Sequence, residues 1–421
     1  MKVIAVVGNG IAGSEAAEAA RRVDRDARIV LLTKEPYPLY SACVLADYVA
    51  DRIPLERVVL KRAADFGRDR IDLLLSKQVV EWSADARMLR FEDGELPYDR
   101  LVIATGSRPV VPNLPGFNKE GVVALKTLAD AEQLRAARGG AAVVVGTGPV
   151  GIEAAIALSR RGWKVTLVEL LDRVLPRLFD EPLALILKKR LEDHGIDVFL
   201  GERVLEVQGD ARVEAVRTDR RILTAETVVL VIGMRPELSL VDRKQVAFGD
   251  SGGVRVDRHM QTSREGVWAC GDCTESEDLV TGRIGLHMLW HNARLQGRIA
   301  GANAAGAHRQ YPGSLNVTTV NIFDETAASV GFLASELTGN EMTVLHKKAP
   351  WGELRLILKD QCLVGVQALG STDRLGGLVT MMMQGRNLRK VLLKKPAVSE
   401  GPAGWILRGL QRDLRRLMDA D

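Results

Sequence analysis

The chain has 421 residues, 46% of them hydrophobic and 27% charged, with a formal net charge of +4. That length calls for two or three domains with sizeable cores, and so mild and dispersed a positive balance, with no interleaving of aromatic and basic residues, leaves no nucleic-acid footprint. Four cysteines, Cys43, Cys270, Cys273 and Cys362, are too few and too scattered for the disulfide framework of a secreted protein, so a reducing cytoplasm is expected.

The amino terminus runs from one positive charge through a short apolar stretch into a glycine turn rather than a cleavage site, and Val3 to Val7 reads as a first strand. Gly8-Asn9-Gly10-Ile11-Ala12-Gly13 follows and opens an alanine-rich helix, after which Arg28 to Leu32 reads as a second strand. Arg70 to Trp82 and Met88 to Glu92 read as a small antiparallel excursion. A buried strand then ends in Ala104-Thr105-Gly106, and Pro109, Pro112, Pro115 and Gly116 mark a crossing between domains.

The pattern now repeats. A strand from Ala142 to Val145 leads into Gly146-Thr147-Gly148-Pro149-Val150-Gly151 and a helix, followed by a strand from Val165 to Val168, a helix from Glu181 to His194 and a strand running into Ile232-Gly233-Met234-Arg235-Pro236. Ala141 to Ser159 approaches the length of a membrane span, but Glu153 and three fingerprint glycines lie within it, so no span is expected. Gly266 to Cys273 returns the chain to the first domain, and Leu289 to Ala305 reads as a helix rich in small residues. From Tyr311 onward, Val317 to Phe323, Leu354 to Leu358 and Leu363 to Ala368 read as strands of a third unit.

Each glycine series makes the same physical demand. The first glycine makes a tight turn, the second lets backbone approach a pyrophosphate, and the third lets helix pack on strand, while the helix amino terminus receives negative charge. One such motif is weak evidence; two in one chain imply two dinucleotides, FAD and NAD(H). The expected fold is α/β, with two Rossmann-like doubly wound three-layer domains and a carboxyl-terminal α+β domain. The expected boundaries are 1–112 with 241–310 for FAD, 113–240 for NAD and 311–421 for an interface domain.

The order of signatures resembles the pyridine nucleotide-disulfide oxidoreductase superfamily, over roughly residues 1–380. Ser41-Ala42-Cys43-Val44-Leu45, with Tyr48 beyond, is similar to the coenzyme A-disulfide reductase and NADH oxidase branch, which uses a single reactive cysteine. The resemblance implies that Gly8, Gly10, Ile11, Ala12 and Gly13 cradle the FAD pyrophosphate, with Ala104, Thr105 and Gly106 beside it. It also gives cofactor contacts to Thr33, Lys34, Glu35, Ser41 and Val79. Thr33 stands where relatives close the second strand with an acid, and Glu35 could substitute for it. Gly271 precedes Asp272, which would accept hydrogen bonds from the ribityl chain, and the helix from Leu289 and Trp290 would aim its amides at the flavin. Gly146, Gly148, Pro149, Val150, Gly151 and Gly233 would hold NAD, and Glu169, suited to two ribose hydroxyls, favours NADH over NADPH.

The resemblance gives catalysis to two residues. Glu153 would orient the nicotinamide or its supporting groups, the alternative being a carboxylate that complements a helix terminus. Cys43 would begin a helix whose dipole favours thiolate, and with Tyr48 where a second cysteine stands in glutathione-reductase-like relatives, its partner would be a bound disulfide, persulfide or polysulfide. Its alternative is a small buried thiol. Cys270 and Cys273 read as turn residues packed near FAD, His287 and His291 as pocket-edge packing, and Met381, Met382 and Met383 as core or interface filling. No metal site is expected.

The carboxyl-terminal segment departs from the resemblance. No tyrosine follows Tyr311, and Arg386, Arg389, Lys390, Lys394, Lys395, Arg408, Arg412, Arg415 and Arg416 make the end basic, with Trp405 to Met418 amphipathic. Beside sulfur reduction this leaves two other functions open. One is a flavin electron-transfer subunit exchanging electrons between NAD(H) and ferredoxin, rubredoxin or an iron-sulfur partner, and the other is an NADH oxidase or peroxidase. A homodimer is expected, because the relatives pair through their last domain.

Overall fold

A computed structural model describes residues 1–337, 342–349, 352–373, 375–385 and 387. The basic tail from 388 on, and Arg386, lie outside these residues. The chain groups into two compact units. The first holds Met1–Val110, Leu125–Ala136 and Gly233–Ser314; the second holds Val111–Ala124, Ala137–Ile232 and the described residues from Leu315 on.

The first unit is built on a five-stranded parallel sheet in the order Val267–Ala269, Arg100–Ile103, Val3–Val7, Arg28–Leu32, Ile71–Leu74. Its inner strands are buried on both faces, which is why they read as continuous apolar runs rather than alternating ones. The antiparallel excursion is shorter than expected. Ile71–Leu74 is the outer strand of the parallel sheet, fed by the short helix Ala63–Arg68 as a crossover, and only Val79–Ser83, Met88–Phe91 and Gly94–Pro97 pair antiparallel.

The helix Trp290–Ala304 crosses the first fingerprint helix, Ile11–Val23, at close range. Side chains at Gly297 or Gly301 would overlap the carbonyls of Ala12 and Ala16. Small residues at this seam bring the two helices, and whatever their amino termini bind, into fixed relation.

The second unit carries a parallel sheet of the same design, in the order Asp197–Phe199, Lys164–Val168, Ala141–Val145, Thr227–Leu230, Val122–Ala124. An antiparallel sheet follows it, ordered Val317–Ile322, Glu325–Gly331, Cys362–Gly370, Gly352–Lys359, Met342–Ala349, with the helix Leu375–Met383 packed on Cys362–Gly370. Met381 and Met382 are buried there and Met383 is exposed. Among the described residues no helix is long and apolar enough to cross a membrane.

Candidate functional site

The two glycine turns share their backbone geometry. Gly8 donates its N–H to the Leu32 carbonyl at 2.8 Å and Gly146 donates to Val168 at 2.8 Å. Their φ angles, 109° and 104°, lie where only glycine is at ease, and a side chain at either would strike the carbonyl of Ala104 or Val231. A Cβ at Gly13 or Gly151 would overlap the carbonyl of the first glycine in its own series, so helix and strand meet backbone to backbone. Gly10 and Gly148, which precede the two helices, face open space. That is the cradle a pyrophosphate needs, twice over.

The first unit carries most of the residues expected to hold FAD. Ile11, Ala12 and Gly13 form the opening turn of the helix, and Ala104, Thr105 and Gly106 follow the neighbouring strand. Thr33, Lys34 and Glu35 follow Arg28–Leu32, and Val79, buried, begins the antiparallel ribbon. Gly271 and Asp272 follow Val267–Ala269, with Ser107 Oγ donating to Asp272 Oδ2 at 2.6 Å and Lys126 Nζ 3.5 Å from the same oxygen. Leu289 caps the helix that starts at Trp290.

Cys270 and Cys273 flank this turn with no exposed surface. Burial pushes both thiols up, which disfavours the thiolate at either.

The Cys43 segment departs from expectation in detail. Cys43 lies in a 3₁₀ turn, Ala42–Val44, and the helix that follows, Leu45–Val49, is five residues long, too short to supply much of a dipole. Cys43 is exposed, not packed away. Tyrosines anchor the segment on both sides. The hydroxyl of Tyr40 donates to Glu35 Oε2 at 2.7 Å and accepts the Leu128 N–H at 3.2 Å, while buried Tyr48 donates to Glu132 Oε1 at 2.6 Å under the guanidinium of Arg135. Burial, then the neighbouring carboxylates, hold both phenols above their ordinary value, so both remain hydrogen-bond donors.

In the second unit Gly146, Gly148, Pro149, Val150 and Gly151 form the turn and the first helical residues, and Glu153 sits half-buried within that helix. Glu169 follows Lys164–Val168 and is bound by the turn itself. Its Oε2 accepts the Thr147 N–H and Oγ1, each at 2.8 Å, and its Oε1 accepts the Leu171 N–H at 3.0 Å. Gly233 groups with the first unit, beside Met234–Pro236.

Several residues that complete these sites escaped the sequence reading. Ser107, Lys126 and Tyr40 carry no motif of their own, because their bonds reach partners distant in sequence, whereas Thr147 lies inside the second fingerprint. Asn9 stood in plain view inside the first fingerprint. It is 9% exposed and neither polar atom of its amide has a partner.

FAD fits the first cradle on two observations: the open space at Gly10 beside an exposed helix terminus, and the orphaned buried amide of Asn9, which a ligand rich in hydroxyls and phosphates would satisfy. NAD(H) fits the second on the open space at Gly148 and a strand-end carboxylate held in place by the turn.

Residues 2–297 match the family described as pyridine nucleotide-disulphide oxidoreductase. The chain is 30% identical over 405 residues to an NAD(P)H sulfur oxidoreductase (CoA-dependent) of Pyrococcus abyssi, covering 91% of each chain. It is 34% identical over 315 residues to the ferredoxin reductase component of chlorobenzene dioxygenase from a Cupriavidus species, covering 73% of this chain and 76% of that one. Among solved structures, an NAD-dependent persulfide reductase from A. fulgidus superposes with a TM-score of 0.88 at 27% identity, over 98% of this chain and 84% of that one.

Proposed function

The chain belongs to the pyridine nucleotide-disulphide oxidoreductase family, which works with FAD and NAD(P)H, and from that premise we propose that it reduces a small disulfide, persulfide or polysulfide through Cys43. The observation that carries this reading is an exposed, single cysteine in a turn anchored by Tyr40 and Tyr48, the latter excluding a second thiol at that spacing. The sulfur-reducing names of two relatives support it.

In this reading the Cys43 thiolate attacks one sulfur of the substrate, a mixed disulfide forms and the first thiolate leaves. Two electrons and protons then restore Cys43 and release the second thiol, for an overall NADH + H⁺ + RSSR → NAD⁺ + 2 RSH. FAD, when bound, supplies the two-electron junction between nicotinamide and sulfur. Gly8, Gly10, Ile11, Ala12, Gly13, Thr105, Gly106 and Asp272 hold it, and Gly146, Gly148, Gly151 and Glu169 hold NADH, with Glu153 orienting the nicotinamide. The same reading carries an FAD domain of 1–112 with 241–310, an NAD domain of 113–240, a dimer formed through 311–421, and a reducing cytoplasm, which suits four scattered cysteines.

Replacement of Cys43 by serine tests the role of the thiol. Sulfur-substrate turnover should disappear while NADH still bleaches the flavin; unchanged turnover rejects it. The kinship with a ferredoxin reductase component favours a second reading, electron exchange with a protein carrier. There the same variant keeps full activity with an added ferredoxin or rubredoxin.

A further inference from the structure

We propose that the side-chain amide of Asn9 is a ligand to the adenosine half of FAD, doing together with Thr33 what a strand-end carboxylate does in the second cradle. The inference rests on the FAD reading of the first cradle.

The two cradles correspond in strand register and in backbone bonds. Val7 pairs with Leu32 as Val145 pairs with Val168, and Thr33 donates to the Leu74 carbonyl at 3.0 Å as Glu169 donates to Phe199 at 2.9 Å. Thr33 therefore occupies the place of Glu169, and Asn9 the place of Thr147. In the second unit that pair is closed, Thr147 giving two hydrogen bonds to Glu169. In the first it is open. Thr33 Oγ1 accepts only the Glu35 N–H, at 3.3 Å, and the Asn9 amide, at 9% exposure, bonds to nothing. Glu35, the one acid nearby in sequence, is drawn toward Tyr40 instead.

A buried amide without partners is an uncompensated cost to the apoprotein, so its presence is explained by something that arrives later. An amide both donates and accepts, which suits vicinal ribose hydroxyls, and the Thr33 hydroxyl still has a proton to donate. The adenosine end of the flavin nucleotide would thus be held by neutral groups, and that of NAD(H) by a fixed carboxylate.

The test titrates apoprotein with FAD and, in parallel, with FMN, which lacks the adenosine half, following flavin fluorescence. Asn9→Ala should weaken FAD about tenfold or more, the usual effect of losing one or two such hydrogen bonds. FMN binding should stay the same, and the apoprotein should melt no lower than the parent. Asn9→Thr with Thr33→Glu, which rebuilds the pair of the second cradle, should recover FAD affinity. Unchanged FAD binding by Asn9→Ala overturns the inference, as does an equal loss for both flavins with a lowered melting temperature, which marks a packing role. A parent chain that takes up no FAD overturns the FAD reading itself, and this inference with it.

Discussion

The two dinucleotide cradles share a sheet order, a glycine turn and a pair of strand-end positions, yet differ in what fills those positions. In the second unit an acid and a threonine close on each other; in the first a threonine and an asparagine leave an amide unused. Backbone geometry therefore specifies that a pyrophosphate can be held, because the first and third glycines of each turn are fixed by sterics and the second leaves space before a helix terminus. The side chains at the strand end differ between the cradles in charge and in what they leave free to bond. A fingerprint read from sequence alone captures the first and not the second.

The sharpest way to break the comparison is to damage one cradle at a time. A side chain at Gly13 or Gly151 would drive into a backbone carbonyl that cannot yield. Gly13→Val should yield colourless protein, measured as flavin content on purification. Gly151→Val should keep its flavin but lose reduction by NADH by about a hundredfold or more, since helix and turn must part to admit the side chain. If both variants lost the flavin alike, the two cradles would not serve different nucleotides.

A smaller effect is expected at Glu169. Glu169→Gln keeps the size and removes the charge, so the Thr147 contact weakens and one good acceptor for ribose is lost. KM for NADH should rise about tenfold with kcat nearly unchanged, the mark of lost uniform binding, and KM for NADPH should rise less because a 2′-phosphate no longer meets a carboxylate. Steady-state kinetics with both nucleotides checks this.

Much of this was legible in the sequence because it depends on local rules. Both parallel sheets follow from apolar runs ahead of glycine turns, and the Arg28–Leu32 strand was read to the residue. What escaped depends on partners distant along the chain. Ile71–Leu74 alternates too little to distinguish an outer parallel strand from a hairpin, and only its pairing with Arg28–Leu32 decides. The closure of Thr147 on Glu169 spans the whole helix between them, and the anchoring of Tyr48 by Glu132 joins residues no motif relates. At Cys43 the expected helix start is a 3₁₀ turn instead, because a short polar-apolar stretch fits either.

A further feature of the first unit lies at its edge strand, Val267–Ala269. The strand ends in the Gly271–Asp272 turn, tied into a buried hydrogen-bonded run. Gly271 N–H donates to Gln296 Oε1 at 2.8 Å, Gln296 Nε2 to Ser276 at 3.1 Å, Ser276 bonds to Ser314 at 2.8 Å, and Ser314 to Tyr311 at 2.8 Å. Gln296 itself is 2% exposed. Gln296→Leu should cost about 1–3 kcal/mol of stability by orphaning the Gly271 amide, seen as a lower denaturant midpoint, and the flavin should dissociate faster if the turn that carries Asp272 helps to hold it.

The smallest effect concerns how each fingerprint helix is covered. The first lies against Trp290–Ala304, and buried Glu15 on it accepts Arg294 Nε at 2.6 Å and Arg298 Nε at 2.7 Å; the second packs on the strand Val317–Ile322 instead. Burial alone would raise the Glu15 carboxyl, but hydrogen bonds from Arg298 and Arg294 outweigh it, and the group is held below its ordinary value. A carboxyl depressed in the folded state stabilises the protein above its unfolded pKa, and that contribution is lost as pH falls through the folded one. Both arginines are more than a third exposed, so solvent screens the pairs and Glu15→Gln should cost only about 1 kcal/mol at neutral pH. The gap between parent and variant should therefore close as pH drops below about 4, the range where free glutamate itself titrates. A gap that persisted there would mean that Glu15 acts through shape at the helix seam rather than through charge.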